Sequence, residues 1–290
     1  MKKIVLFFLL SITFLAYASA VKLNSSTVAN GKSFYVEIKG EKGKKYTNIE
    51  FLNKNYPIYK HPVKKDLFYA VVPVSYYAKA KKNKVFINYV KNSKQKQSQV
   101  SLLVKNGDYK KEKLKVQSSQ ITLSKKNKLR TAKEYKEAMK IYNTCEKQSY
   151  ISSNFIFPLE SKITSEFGKA RIFNDKLKSY HGGTDYRAKV GTPIKASNDG
   201  VVVLAKNRFY AGGSIIINHG HGIYTCYYHM SKFKVKQGQK VKKGQIIGLS
   251  GVSGRVTGPH LHFGIRFAGV QVDPLQFIAL MNKYILKGIR

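Results

Sequence analysis

His181-Gly-Gly-Thr-Asp185, Tyr228-His229-Met230-Ser231 and Gly258-Pro-His260-Leu-His262-Phe263 are three short strings within one stretch, residues 181 to 263. Six of the chain's seven histidines lie between 181 and 262, and the remaining one is His61. Imidazole binds metals and transfers protons near neutral pH, so a cluster of this kind points to a metal-centred site. His260 and His262 are two apart in an apolar, β-branched neighbourhood. On a strand such residues share a face, so both rings can point into one cavity, one binding a metal and its neighbour acting beside it. His181 and Asp185 flank a Gly-rich segment whose backbone lets a nitrogen and a carboxylate oxygen converge. Two histidines and one carboxylate, with a fourth position left to water, make a catalytic rather than a closed structural zinc arrangement.

At these strings the chain resembles the lysostaphin/LytM-type zinc metallopeptidases, which cut the peptides of peptidoglycan. The likeness continues, in the family's order, through Ile163-Thr-Ser-Glu-Phe-Gly168, Gly191-Thr-Pro-Ile-Lys-Ala196, Asp199-Gly-Val-Val202 and Val241-Lys-Lys-Gly-Gln-Ile-Ile-Gly248. It covers residues 155 to 275. The resemblance implies a compact β-sheet peptidase with a narrow groove and one Zn2+ per chain, held by His181, Asp185 and His262. It further implies His260 as the general base that takes a proton from the attacking water. His229 would then stabilise the oxyanion or relay a proton to the leaving amine. Arg171 and Asn174, upstream of the first string, would position substrate or occupy the open coordination site in a latent form. His219 and His221 sit in a turn, Asn218-His-Gly-His-Gly222, and are expected to be structural.

The rest of the chain reads as mainly β. Met1-Lys-Lys, an apolar run from Ile4 to Ala16 and Ala18-Ser-Ala20 have the form of a signal peptide, residues 1–20, cut after Ala20. The run is shorter than the ~20 residues of a spanning helix. Residues 21–110 alternate in short segments, Ser33 to Ile38, Asn48 to Leu52, Leu67 to Val74, Lys84 to Val90 and Val100 to Val104, which predicts a small antiparallel β-sandwich. His61 falls between Lys60 and Pro62 and is expected in a surface loop. Residues 111–150 form a linker whose Leu129, Ala132, Tyr135, Ala138, Met139 and Tyr142 recur at helical spacing, with Thr131 and Glu134 as a capping box. Residues 151–275 hold the antiparallel peptidase sheet, with strands at 200–205, 214–218, 222–228, 232–235, 245–250 and 260–267. Residues 276–290 read as a basic tail. Cys145 and Cys226 could form a disulfide in an exported chain, but Cys226 sits in an apolar strand and a buried free thiol is expected.

The 53 Lys and Arg against 15 Asp and Glu give a formal net charge of +38. Such a field favours polyanions. With export expected, anionic wall or membrane polymers, rather than nucleic acid, are the partners, by non-specific attraction around a monomer. A biotinyl or lipoyl carrier hairpin would suit residues 238–248, yet no Met-Lys-Met is present. A catalytically silent activator of other wall hydrolases is the alternative function, against which the complete ligand set argues. The absence of a sorting motif or wall-anchoring repeat favours the periplasm or cell envelope, and a D,D-endopeptidase or D,D-carboxypeptidase acting on directly cross-linked peptides, over a glycine-bridge hydrolase.

Overall fold

The computed structural model describes residues 20–114, 123–173 and 177–289, so the signal segment other than Ala20 lies outside the described residues, as does Asn174. Among the described residues no helix is long and apolar enough to cross a membrane.

Two sheets form the N-terminal unit. One has the order Val21–Leu23, Ser33–Lys39, Leu67–Pro73, Tyr59–Lys60; the other has Thr27–Ala29, Lys94–Lys105, Lys81–Lys91, Lys44–Phe51, Lys54–Pro57. Pairing is antiparallel except where Thr27–Ala29 runs parallel to Lys94–Lys105. The two-residue period of a strand decides which core each side chain joins. Phe34, Val36, Ile38, Ala70 and Val72 point into the sandwich, whereas the alternating Tyr35, Tyr69 and Val71 join the core of the C-terminal unit. The first sheet is therefore buried on both faces, and the two units share a boundary built from side chains of both.

That boundary is tied by polar contacts as well. Gln276 bridges the strand edge at Ser33 twice, its Oε1 accepting from Ser33 N and its Nε2 donating to Ser33 O, both at 2.9 Å. Asp273 N donates to Gly31 O at 2.8 Å, and the rings of Tyr35 and Tyr284 stack 5.1 Å apart. His61 is buried rather than in a surface loop. Its Nδ1 accepts from Val63 N and Lys64 N, which leaves Nε2–H to donate to Tyr284 O at 2.9 Å. The histidine is an inter-unit peg, a role that depends on a partner 223 residues away.

The C-terminal residues also depart from expectation. Instead of a basic tail, Pro274–Met281 is an α-helix continued by a π-helical turn, Asn282–Leu286. Asp273 caps it, accepting from Leu275 N and Gln276 N, with Pro274 at the first turn. Phe277, Ile278, Leu280, Met281, Ile285 and Leu286 are buried in the main core, so apolar burial outweighs the few lysines that suggested a tail. Burial of each such side chain contributes roughly 1.5–3 kcal/mol relative to exposure.

The connecting helix spans Lys125–Tyr142 and begins six residues before the expected capping box. Ser124 caps it through Asn127 N, while Thr131 donates to Lys128 O inside the helix and Glu134 accepts from Phe209 N. Its C-terminal half packs through Ala138 and Tyr142 on Leu204, Ile216, Tyr224 and Cys226, leaving Leu129 and Tyr135 exposed. Both cysteines are free, Cys226 buried and Cys145 exposed. The segment before the helix is more than linker: Lys111–Leu114 pairs parallel with Ala170–Phe173, which pairs antiparallel with Leu177–Tyr180.

The catalytic-type sheet is antiparallel, in the order Ile163–Ser165, Thr184–Arg187, His260–Phe267, Ile223–Phe233, Gly212–Asn218, Gly200–Arg208, Lys240–Val241. Pro193–Lys195 and Ile246–Ser250 fold over against the far end of Ile223–Phe233. Its register places Asp185 opposite His262 and His262 opposite Tyr228, three strands in one row.

Candidate metal centre and active-site groove

The row Asp185–His262–Tyr228 forms the floor of a cavity of about 450 Å³, which His229, His260, Arg171 and Arg255 also line. His181 enters from the hairpin that precedes it, held by its N to Lys169 O and its O from Gly168 N, both 2.8 Å. His181 Nε2 lies 2.9 Å from Asp185 Oδ1 and 3.0 Å from His262 Nδ1, and the last two are 2.7 Å apart. These three residues form a group of potential ligands with all donor atoms within 4.8 Å of one another.

The hydrogen bonds around the group fix which nitrogen carries the lone pair. His181 Nδ1 donates to Glu166 O at 2.8 Å, because a carbonyl can only accept, and its Nε2 is then bare in the neutral ring. That lone pair faces a carboxylate oxygen and a second imidazole nitrogen. A single proton on His262 can serve only one of these contacts, and a cation shared among the three would balance the arrangement. The donor set of two nitrogens and one oxygen fits a divalent metal of the zinc class, and the residues fit the group that the sequence implied.

His260 and His229 follow the same rule. His260 Nδ1 donates to Gly258 O and His229 Nδ1 donates to Ser253 O, both at 2.8 Å, which leaves each Nε2 free to accept. Their rings lie 4.7 Å apart, and His260 Nε2 is 3.7 Å from Asp185 Oδ1. Adjacent strand residues ordinarily face opposite sides, yet Tyr228 and His229 both line the groove. The backbone at His229 resolves this with φ +63, within a strand whose pairing shifts register there. Such a conformation costs about 1–3 kcal/mol in a non-glycine residue and concentrates at functional sites. It also explains why the expected strands 222–228 and 232–235 are one strand, Ile223–Phe233, with a bulge in it.

Burial opposes ionisation of Asp185, but the facing imidazoles of His181 and His262 outweigh it and hold the carboxyl well below the usual range. Burial lowers His262 to about 4 despite Asp185, and burial with repulsion from His262 and His260 lowers His229 to about 3. Both rings are neutral at pH 7, as ligands and proton acceptors must be.

Of the seven residues named from sequence, the structure lines one groove with Asp185, His262, His229, His260 and Arg171, and sets the buried His181 against Asp185 and His262. Arg171 is engaged: its Nε donates to Glu112 at 3.1 Å and its NH2 to Asp185 Oδ2 at 3.0 Å, so it is a wall of the site and braces the aspartate. His219 and His221 lie elsewhere. His219 is buried between Asp199 O and Thr225 Oγ1, and His221 stacks on Tyr59 at 3.8 Å. Several groove residues escaped the sequence reading, Tyr228, Glu112 and Arg255 among them. Tyr228 stacks on His262, with ring planes within 2° and centroids 5.4 Å apart. Glu112 arrives from the parallel strand before the helix, and Arg255 lies five residues before His260. For Tyr228 the signal was adjacency to His229; for Glu112 there was none.

A metallopeptidase centre on an antiparallel sheet is the class that this fold and donor set define. Residues 179–274 match Peptidase family M23, and this part of the chain is an M23 peptidase domain. Over 123 residues the chain is 46% identical to the peptidoglycan DD-endopeptidase ShyA of Vibrio cholerae, covering 41% of this chain and 29% of that protein. Over 115 residues it is 43% identical to the DD-carboxypeptidase/endopeptidase Mpg of Neisseria meningitidis, covering 40% of this chain and 26% of that protein. The match thus spans under a third of these relatives' length. A solved Pseudomonas aeruginosa chain assigned to peptidase M23 shares the fold across both units, with 22% identity, a TM-score of 0.66, and coverage of 87% of this chain and 95% of that one.

Proposed function

We propose that the chain is an exported zinc-dependent peptidoglycan hydrolase, cutting wall stem peptides or cross-links as a D,D-endopeptidase or D,D-carboxypeptidase. The observation that supports this most is the convergence of His181 Nε2, Asp185 Oδ1 and His262 Nδ1 beside two imidazoles whose bare Nε2 atoms share the same cavity. Zinc held by His181, Asp185 and His262 would supply Lewis-acid chemistry, withdrawing charge from a carbonyl and bringing the ionisation of water toward ~7. His260 Nε2 accepts the proton of the attacking water. His229, with its Nδ1–H committed to Ser253 O, is set to take up a proton at Nε2 and pass it to the leaving amine, which favours the relay over a direct oxyanion contact. Arg171 and the Tyr228 ring keep Asp185 and His262 aligned. Export rests on the pattern of residues 1–20, and the charge of +38 would hold the protein near anionic wall or membrane polymers.

The test is digestion of purified wall fragments with identification of the new termini by mass spectrometry, alongside metal analysis. One zinc per chain is expected. H181A and H262A should lose metal and cleavage together, and H260A should keep the metal and lose cleavage. A purified protein without stoichiometric metal, or products from glycine bridges alone, would contradict the proposal.

A further inference from the structure

Gly182 and Gly183 lie between two strands, Leu177–Tyr180 and Thr184–Arg187, and between two of the candidate ligands, His181 and Asp185. Backbone bonds to Gly168 and Lys169 fix His181, and the ladder with His260–Phe267 fixes the chain from Thr184 onward. The path of the backbone between these points decides how the imidazole and the carboxylate stand to one another.

That backbone is gripped by a side chain from a distant hairpin. Gln271, on the short strand Val270–Val272, donates from Nε2 to Gly182 O. Its Oε1 accepts from Arg266 NH2 at 3.2 Å and from Tyr180 OH at 3.4 Å. These partners fix the orientation of the amide. A guanidinium has no acceptor and a carbonyl no donor, so the oxygen faces Arg266 and the nitrogen faces Gly182. Arg266 stands directly across the ladder from Gln271, on the same strand face as His262. It is itself held, with NH1 donating to Gly269 O at 3.3 Å and the guanidinium 4.9 Å from the centre of the Tyr142 ring.

The glycine at 182 reflects the same contact. Its φ is not in the left-handed region, so the backbone angle does not call for glycine there. A Cβ would instead overlap the amide of Gln271, whose Nε2, Cδ and Oε1 are the three nearest atoms. The missing side chain makes room for a residue 89 positions away. Gln271 and Gly182 are not among the described residues that line the groove, so what they contribute passes through the ligands.

We propose that Gln271 is a positioning residue of the metal centre: by seating the Gly182 carbonyl it sets His181 and Asp185 relative to each other. This rests on the reading of His181, Asp185 and His262 as metal ligands given above.

The test is isothermal titration of the metal-free full chain with zinc. The visible absorption of cobalt(II) bound in place of zinc gives a second reading, of ligand geometry. Q271A and Q271M are expected to lose about 10- to 100-fold in zinc affinity and to change the cobalt spectrum. Q271E separates the two ends of the amide. At neutral pH its carboxylate still accepts from Arg266 but has no proton to give Gly182, so its affinity is expected to fall with that of Q271A. A residue that served only to hold Arg266 would be rescued by glutamate. G182A must push Gln271 aside and is expected to lose as much as Q271A, and G182A/Q271A no more than either. Circular dichroism and urea unfolding of the metal-free proteins check the fold, and should Q271A unfold, Q271M carries the comparison. Wild-type affinity in Q271A or Q271M, full rescue in Q271E, or losses that multiply in the double mutant overturn the role of Gln271 and leave the metal centre standing. A wild type that binds neither zinc nor cobalt overturns the metal centre, and this inference with it.

Discussion

Tyr142, the last residue of the connecting helix, shares a hydroxyl-to-hydroxyl hydrogen bond of 2.9 Å with Tyr228, the ring stacked on His262. The helix is thereby joined to the candidate metal ligand through the buried Tyr142 and the half-buried Tyr228. Removing the Tyr142 hydroxyl deletes its hydrogen bonds to Tyr228 and to the buried Cys226 Sγ, which costs about 1–2 kcal/mol. Y142F is therefore expected to lower the urea midpoint by that amount and to weaken zinc retention against a chelator by less than tenfold. A Y142F/Y228F double mutant no more destabilised than either single mutant is the expected sign of coupling. Full additivity would mean that the two hydroxyls act separately.

Gly183 gives a sharper test of the metal centre. A Cβ there would lie 2.4 Å from Phe263 O and 2.7 Å from His262 Nε2. The strand cannot yield without disturbing the row that aligns Asp185 with His262, so the imidazole must move. G183A is expected to lose about 10- to 100-fold in zinc affinity, the scale associated with misplaced ligand support. Isothermal titration of the metal-free protein reads this directly, and wild-type affinity in G183A would show that His262 does not hold the ion.

Stability should fall with acid through a residue outside the candidate metal group. His219 is fully buried, Nδ1 donating to Asp199 O and Nε2 accepting from Thr225, and burial lowers its pKa to about 4. Above the ordinary value of 6.5 neither the folded nor the unfolded chain is protonated there, and the full stability is present. Between 6.5 and about 4 the unfolded chain takes up a proton that the folded chain refuses, so stability declines by roughly 3 kcal/mol over that window. Urea unfolding at pH 7 and pH 5 should show a loss that is roughly 2 kcal/mol smaller in H219Q than in the wild type. Equal losses would place the acid sensitivity elsewhere.

What was legible in the sequence was local. His260 and His262 announce a shared face by their spacing, and the Gly-rich segment between His181 and Asp185 announces a convergent loop. The alternating segments gave the sandwich because period-two burial is written in neighbouring residues. Features that depend on distant partners were not legible. His61 looked like a loop residue because Tyr284 is 223 positions away, and residues 276–290 looked like a tail because their apolar stripe has meaning only against the core that receives it. Glu112 reaches the groove through a parallel pairing that no local pattern signals. The bulge at His229 divided one strand into two expected ones, since a left-handed histidine breaks the alternation on which strand prediction relies.

The sheet Ser33–Lys39 and Leu67–Pro73, apolar on both sides, has a consequence for anyone who would dissect this molecule. A fragment trimmed to residues 155–275 would lay bare the aromatic surface now covered by Tyr35 and Tyr69, deprive Ala170–Phe173 of its neighbouring strand, and leave Arg171 facing Asp185 without its counterweight Glu112. The excised piece and the intact protein are thus different chemical objects, and rates measured on one do not transfer to the other.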